Sequence, residues 1–249
     1  MPMWEDLHPM MQNWPFEPGT IQVRTIRGED GREKLQLRLD LGILQMETDG
    51  RPDGEKPFGC ESLLDHFERI AEQYKSKGKA DFFKLNSDDC MKLQQEGMQY
   101  YHRYLAFFQL QNYAGVLRDT RRNLRLFDFV ENHAEKPELA SMFLQFRPYI
   151  LMMLTRARGM LALEQKQYPL AIKHIEWGIQ EIQSCLREHG PEAMEQNPEL
   201  QFLQNWMRDI QNERPLTPRE KLRRQMIEAV QKEDYERAAR LRDALNELS

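Results

Sequence analysis

The chain has 249 residues, 40% of them hydrophobic and 30% charged, which is enough for a packed core beneath a wet surface. The net charge is −5 and the pI is about 5.8, so the chain as a whole is not a general nucleic-acid binder. No stretch approaches the roughly 20 apolar residues of a membrane span, and the first residues lack the pattern of a signal peptide.

An alternating pattern near the N-terminus predicts a β-hairpin over residues 20–27 and 33–47. Asp30 and Gly31 supply the tight turn between the strands. Two strands alone are marginally stable, so we expect a leucine face of the second strand to be buried against the helices or a partner. The following segment "TDGRPDGEKPFG" is interpreted as a loop, because its glycine spacing fits no phosphate-binding motif. The alternating leucines are Leu35, Leu37, Leu39 and Leu41.

Beyond this loop the apolar residues recur every three or four positions, which predicts an almost wholly helical chain. Segments 100–127 and 156–182 both contain a helix, a short polar break, a tyrosine and a second amphipathic helix. The second segment resembles a tetratricopeptide repeat, in which Gly159 lies where the paired helices cross and Tyr168 opens the second helix. Tyr113 and Tyr168 are 55 residues apart, against about 34 in a regular array. The resemblance implies a degenerate two-copy array, with a plain helical bundle as the alternative.

In such an array the first helix of each pair presents a mostly apolar concave face, which would be an exposed patch if it were open to water. We expect the N-terminal arm or the β-hairpin to cover this face; the alternative is that it receives a hydrophobic peptide. Arg156 could pair with an acidic ligand, although a charge at a helix edge is usually solvated. The residues of the face are Met98, Tyr101, Leu105, Phe108, Met153, Arg156, Met160 and Leu163, of which Tyr101, Phe108, Arg156 and Met160 are the groove candidates.

Residues 216–249, which begin within the Pro-containing linker "NERPLTP", predict a helical hairpin. Thr217 and Glu220 can form a capping box at its start, with Pro218 at the first helical position. The polar stretch "KED" separates the two helices, and Asp234 can cap the second one. The apolar stripes are Leu222, Met226 and Val230 in the first helix and Ala238, Leu241, Leu245 and Leu248 in the second.

This hairpin resembles the UVR motif, which is named for the excision-repair proteins UvrB and UvrC. The resemblance runs from about Leu222 to Leu248. It rests on the turn "KEDYERAA", in which Tyr235 replaces the commoner Phe, and on Leu241-Arg242-Asp243. It implies a protein–protein docking module of the kind found in repair nucleases, Clp-type chaperones and their adaptors. A generic hairpin rich in Ala, Glu and Arg is the alternative.

A hairpin of roughly 30 residues buries too little surface for independent stability. Its outer apolar edges therefore need a partner, which is a second copy, the helical region or another protein. We expect the aromatic side chain and the leucines to anchor the partner, with charges at the rim. The predicted partner-binding residues are Leu222, Met226, Tyr235, Leu241, Arg242 and Leu245.

No pattern in the chain predicts catalysis, a metal site or a cofactor. The histidines are scattered and none lies in a metal-binding or nucleophile motif, while the carboxylates are interpreted as helix surface. The cysteines are far apart and odd in number, which favours free thiols in a reducing cytoplasm. The histidines are His8, His66, His102, His133, His174 and His189; the cysteines are Cys60, Cys90 and Cys185.

The predicted fold is mainly α in three parts: an arm, β-hairpin and loop (1–60), a tetratricopeptide-like helical body (61–212) and the UVR-type hairpin (216–249). The predicted function is that of a non-enzymatic, cytoplasmic, bacterial-type adaptor that docks a partner through the hairpin. One alternative is an accessory factor of nucleotide-excision repair that binds a repair subunit and also DNA. Another is an enzyme with a site between the β-hairpin and the helices. Salt-dependent DNA binding would favour the repair factor.

Overall fold

The computed structural model of the protein describes residues 6–187, 190–215 and 218–247. It is mainly α-helical, as predicted, with one small antiparallel sheet near the N-terminus, and it divides into two compact units, Met1–Met207 and Arg208–Ser249. The strands are β1 (Val23–Arg27), β2 (Glu33–Leu39) and β3 (Gly42–Glu47). The described helices are α1 (His8–Gln12), α2 (Leu63–Ser76), α3 (Ser87–Gln109), α4 (Tyr113–His133), α5 (Pro137–Leu144), α6 (Arg147–Glu164), α7 (Tyr168–Leu186), α8 (Pro191–Gln196), α9 (Pro198–Glu213), α10 (Pro218–Gln231) and α11 (Tyr235–Glu247).

The sheet has three strands in the order β1-β2-β3, rather than the two predicted over 20–27 and 33–47. The predicted second strand is interrupted where the chain reverses at Asp40 and Leu41. The Asp40 carboxylate accepts a hydrogen bond from the Leu41 amide there, at 2.9 Å. β2 is therefore the central strand and pairs with β1 on one side and β3 on the other.

The alternating leucines divide between the core and the solvent. Leu35 and Leu37 are buried, whereas Leu39 is exposed and Leu41 is 86% exposed. The prediction of one buried face is therefore wrong for the last two leucines. The physical reason is the turn, because Leu41 lies within it and Leu39 is the last residue before it.

The described part of the N-terminal arm packs on the sheet. Arg38 is buried, and its Nε donates a hydrogen bond to the Trp14 carbonyl at 2.8 Å. The guanidinium of Arg24 lies 4.2 Å from the centre of the Trp14 ring, and that of Arg38 lies over Phe16. For its described residues, the expectation that the arm covers the helical groove is therefore corrected. Cation–π contacts with arginines on the strands hold it on the sheet instead.

Two antiparallel helical hairpins, α3–α4 and α6–α7, form most of the body. Each turn contains one residue in the left-handed region, Gln111 at φ 58° or Lys166 at φ 56°, and the second helix then begins at Tyr113 or Tyr168. In both turns the amide after the left-handed residue donates to the carbonyl five positions earlier, at 2.8 and 2.9 Å. The predicted order of helix, polar break, tyrosine and helix is thus confirmed in both segments.

Close approach of helices in the body depends on glycines. A Cβ on Gly178 of α7 would collide with the side chain of Thr155 on α6, so this glycine permits the α6–α7 crossing. A Cβ on Gly159 would lie 2.5 Å from the Trp206 ring of α9. The predicted role of Gly159 at the crossing of the paired helices is therefore wrong, because this glycine faces α9.

A charged network is buried between α3 and α4. Arg103 and Asp119 form a two-pronged ion pair in which Nε donates to Oδ2 at 2.7 Å and Nη2 donates to Oδ1 at 2.9 Å. Both side chains are 1% exposed. Arg103 also donates to the Glu47 carbonyl at 3.0 Å, which ties the end of β3 to the helices. The interpretation of the carboxylates as helix surface is therefore wrong for Asp119.

A second buried carboxylate, Glu96 of α3, caps the start of α2. It accepts hydrogen bonds from the amides of Leu63 at 2.7 Å and Leu64 at 3.2 Å. It also pairs with Arg122 of α4 and, at 3.5 Å, with Arg51. One side chain thus satisfies two amides that a helix start leaves without intrahelical partners, and it fixes three segments together.

The helices α1, α5 and α8 were not predicted. α5 begins at Pro137, which suits the first position of a helix because proline lacks the amide that would otherwise be unsatisfied. Its residues Ala140 and Phe143 are buried. A helix of this length has too few turns for a clear period, which explains why the apolar spacing did not reveal it.

We expect the body to fold without the C-terminal hairpin, because the Pro-containing segment "NERPLTP" joins the two and a new apolar stripe begins after it. A chain that ends after Glu213, and so keeps all of α9, should retain a single cooperative thermal transition by circular dichroism. A molten or insoluble product would show that the hairpin belongs to the core of the body.

Candidate functional site

The C-terminal hairpin, α10–α11, has the same turn as the two hairpins of the body. Glu233 takes the left-handed conformation at φ 59°, and the Asp234 amide donates to the Ala229 carbonyl at 2.9 Å. α11 then begins at Tyr235, as α4 and α7 begin at tyrosines. The Asp234 carboxylate accepts from the Arg237 amide at 3.1 Å, which confirms the predicted cap of the second helix.

Several predicted features lie outside the described residues. They are Thr217, the predicted cap of the first helix, Leu248, the last leucine of the second stripe, and His189. The predicted role of the Glu220 side chain in the capping box is likewise outside the description.

Two alanines form the centre of the seam between α10 and α11. Ala229 and Ala238 are the buried residues of the described hairpin, and their small size allows the helices to approach closely near the turn. The sequence predicted Val230 as the last member of the apolar stripe of α10. In the structure Ala229 is buried at this point and Val230 is exposed. Four of the predicted partner-binding residues are half-buried. Each lies three or seven positions from one of the alanines and therefore on the same face of its helix. They are Leu222 and Met226 on α10 and Leu241 and Leu245 on α11.

An apolar edge remains exposed at the turn end of the hairpin. It consists of Ile227, Val230 and Tyr235, and the tyrosine is 68% exposed. Ile227 and Val230 are three residues apart on α10 and are therefore neighbours on its surface. Large exposed apolar groups that lie together are typical of interaction surfaces, and tyrosine is enriched among residues that dominate binding.

An arginine-lined groove of about 540 Å³ runs along one side of the hairpin, away from its turn. The residues that line it carry three guanidinium groups and, within the described part of the chain, no carboxylate. Arg242 also pairs with the exposed Asp243 at 2.8 Å. The lining residues are Arg219, Arg223, Met226, Arg242, Leu245 and Asn246.

The arginine-lined groove unites three of the predicted partner-binding residues, Met226, Arg242 and Leu245. Sequence reasoning missed Arg219 and Arg223. Their spacing in the sequence could have revealed them. The two arginines precede Met226 by seven and three positions, which places all three residues on one side of the helix.

The groove candidates of the body do not form one open face. The Arg156 guanidinium lies 4.2 Å from the ring centre of Phe108 and 4.7 Å from that of Phe202 on α9. Burial lowers the pKa of Arg156 from its ordinary value. Arg156, which was predicted as a possible partner of an acidic ligand, thus packs between the rings of Phe108 and Phe202. Since Phe202 belongs to α9, this helix covers that part of the predicted face. Met160 is half-buried.

A different groove of about 430 Å³ opens among α3, α4, α5 and α6, and we call it the body groove. Of the predicted concave face it contains Met98 and Tyr101. Its other walls come partly from the repeat helices α4 and α6 and partly from α9 and the unpredicted α5, which the repeat register did not include. Its lining includes Met98, Tyr101, Met142, Phe146, Tyr149 and Glu199.

Within the described ranges, no group of three or more His, Cys, Asp or Glu side chains is placed to hold a metal ion. None of the described helices is both long enough and apolar enough to cross a membrane. The described cysteines are free thiols. Cys90 is buried, and the loss of solvation raises the pKa of its thiol to about 11.

We expect Cys90 to resist alkylation in the native protein at neutral pH, because the thiol is buried and almost none of it is in the reactive thiolate form. Brief iodoacetamide treatment followed by peptide mass spectrometry should find Cys90 unmodified in buffer and modified in urea. Rapid labelling of native Cys90 would show that this part of α3 opens to solvent.

Residues 219–249 match the family model described as the UvrB/uvrC motif. This match coincides with the C-terminal hairpin and confirms that the chain carries a UVR motif. No curated protein and no solved structure matches the chain. The tetratricopeptide resemblance of the body therefore stays a prediction.

Proposed function

We propose that the protein is a non-enzymatic adaptor that docks a partner protein through its C-terminal UVR hairpin. The UVR motif is a protein- and DNA-interaction module linked to nucleotide-excision repair. The observation that carries the proposal is the apolar edge, since Ile227, Val230 and Tyr235 stay exposed on the hairpin that matches the motif.

The chemistry of the hairpin favours a partner surface that is apolar at its centre and acidic at one side. The apolar edge offers an aromatic anchor, and the arginine-lined groove offers guanidinium groups that bind carboxylates with two hydrogen bonds. A second copy of the hairpin is the alternative partner. The proposal places the adaptor in the cytoplasm, because its cysteines are free thiols.

A second candidate function is that of an accessory factor of nucleotide-excision repair that also contacts DNA. The arginine-lined groove favours it, because three guanidinium groups close together suit phosphates as well as carboxylates. DNA binding of this kind would weaken steeply as salt rises, and the Arg219→Gln and Arg223→Gln variants would reduce the slope.

The experiment that tests the proposal compares the full chain with a chain that lacks residues 216–249. Both are used to capture proteins from a bacterial lysate, and captured proteins are identified by mass spectrometry. The proposal expects a defined partner that only the full chain retains, with capture unaffected by nuclease treatment. Equal capture by both chains would contradict it, and capture lost on nuclease treatment would favour the repair factor.

A further inference from the structure

We propose that the body groove is a second binding site, and that it accepts an apolar peptide segment carrying one lysine or arginine. This inference goes beyond the hairpin and does not depend on it. The observations that carry it are the exposed rim of the groove, its aromatic wall and the one carboxylate found among the described residues of its lining.

The rim of the body groove consists of large apolar side chains that are exposed to solvent. Met98 of α3 and Met142 of α5 are each more than two-fifths exposed, and Phe146 is 50% exposed. Single exposed apolar residues are ordinary, but three around one groove form a patch that indicates an interaction site. Methionine adapts its shape to different partners, which suits a peptide-binding surface.

The wall of the body groove is aromatic. The ring centre of Tyr101 lies 5.5 Å from that of Tyr104 and 6.0 Å from that of Tyr149. Burial raises the pKa of Tyr149 to about 12, further above physiological pH, at which a phenol is already neutral. Neutral aromatic rings accept apolar side chains, and their faces also attract a cation.

Glu199, in the first turn of α9, is the only charged residue among the described residues that line the groove. It is half-buried, and its Oε2 accepts a hydrogen bond from Asn197 at 2.8 Å. None of the described residues of the lining is a cation that could neutralise this carboxylate. A ligand with one ammonium or guanidinium group therefore complements the groove, whereas an acidic ligand would be repelled.

A peptide fits the groove better than a small metabolite does. A small molecule within about 430 Å³ would leave the rim methionines and Phe146 in contact with water. An amphipathic helix laid along the groove would bury the rim as well as fill the cavity, as helix-in-groove complexes do. Its lysine or arginine would then lie at the Glu199 end.

The test uses three fluorescein-labelled synthetic helical peptides of ~14 residues with one leucine stripe, which differ only in a lysine, glutamine or glutamate beside the stripe. Binding to the full-length protein is measured by fluorescence anisotropy. We expect the lysine peptide to bind about threefold to tenfold more tightly than the glutamine peptide, and the glutamate peptide to bind most weakly. Glu199→Gln should abolish the preference for lysine, and Phe146→Gln should weaken binding about tenfold or more.

Matched variants separate the groove from general effects. Phe82→Gln changes another exposed phenylalanine, and Glu72→Gln changes an exposed glutamate on α2, which does not line the groove within the described residues, so neither should alter binding. Tyr235→Ala should also leave peptide binding unchanged, which distinguishes this inference from the function proposed for the hairpin. Equal binding of the three peptides, or full binding by Phe146→Gln, would overturn the inference. A dimer that Phe146→Gln dissociates in light scattering would also overturn it, because a second copy would then occupy the groove.

Discussion

Replacement of Asp119 by alanine is expected to lower the free energy of unfolding by about 3 to 5 kcal/mol. The substitution removes the carboxylate that pairs with Arg103 through two hydrogen bonds, and it leaves that guanidinium buried without its counter-charge. A buried charge without a partner costs far more than the intact pair contributes. Urea denaturation followed by far-ultraviolet circular dichroism measures the change.

Asp49 provides a matched control, because Asp49 and Asp119 both pair with Arg118. Arg118 binds buried Asp119 at 2.9 Å and exposed Asp49 at 2.6 Å. Because an exposed ion pair is screened by water, Asp49→Ala should leave the denaturation midpoint nearly unchanged. Similar midpoints for the two variants would show that the α3–α4 network is not a buried structural element.

Replacement of Leu37 by aspartate should cost at least ~3 kcal/mol of stability, because a carboxylate would enter the buried face of the central strand. The same substitution at Leu41 places the charge on a side chain that is 86% exposed. Leu41→Asp should therefore leave the melting temperature unchanged. Thermal melts of both variants test the strand register, and equal effects would show that the turn is misplaced.

The long helices could be predicted because their apolar residues repeat over many turns and their starts carry local signals. Tyr113, Tyr168 and Tyr235 each follow a polar residue and a left-handed turn residue, and each begins a second helix. This turn chemistry is local in sequence and can therefore be recognised without a structure.

The division of the sheet could not be predicted from alternation alone. Apolar residues alternate through Leu39 and Leu41 without interruption, so the period of two continues across a turn. Only the pairing of β3 with β2 shows that the chain reverses at Asp40. Short turns of this kind lack a distinct signal when no Asn-Gly or Asp-Gly pair is present.

The buried charges were missed because they depend on which residues converge in space. Asp119 and Arg103 lie 16 positions apart on different helices, and each has the polarity of a surface residue. Arg156 was assigned to a ligand face for the same reason, although the rings of Phe108 and Phe202 enclose it. Such partners become visible only when the packing of the helices is known.

The central claim is that the UVR hairpin docks a partner, and Tyr235→Ala in the full chain tests it most directly. The side chain is 68% exposed, so its loss should leave the melting temperature of the protein unchanged. As an aromatic anchor it should contribute about 2 kcal/mol or more to binding, and its removal should therefore weaken binding at least about thirtyfold, so that capture of the partner or self-association is lost at the concentrations of the assay. Leu241→Asp should have the same effect on binding, and Arg242→Ala a smaller one.

The deciding measurement is capture by the Tyr235→Ala variant, together with its mass by light scattering and its melting temperature. The adaptor function predicts lost capture or a reduced mass at unchanged stability. Unchanged capture and unchanged mass with a lowered melting temperature would contradict it, because the hairpin would then serve only the stability of its own chain.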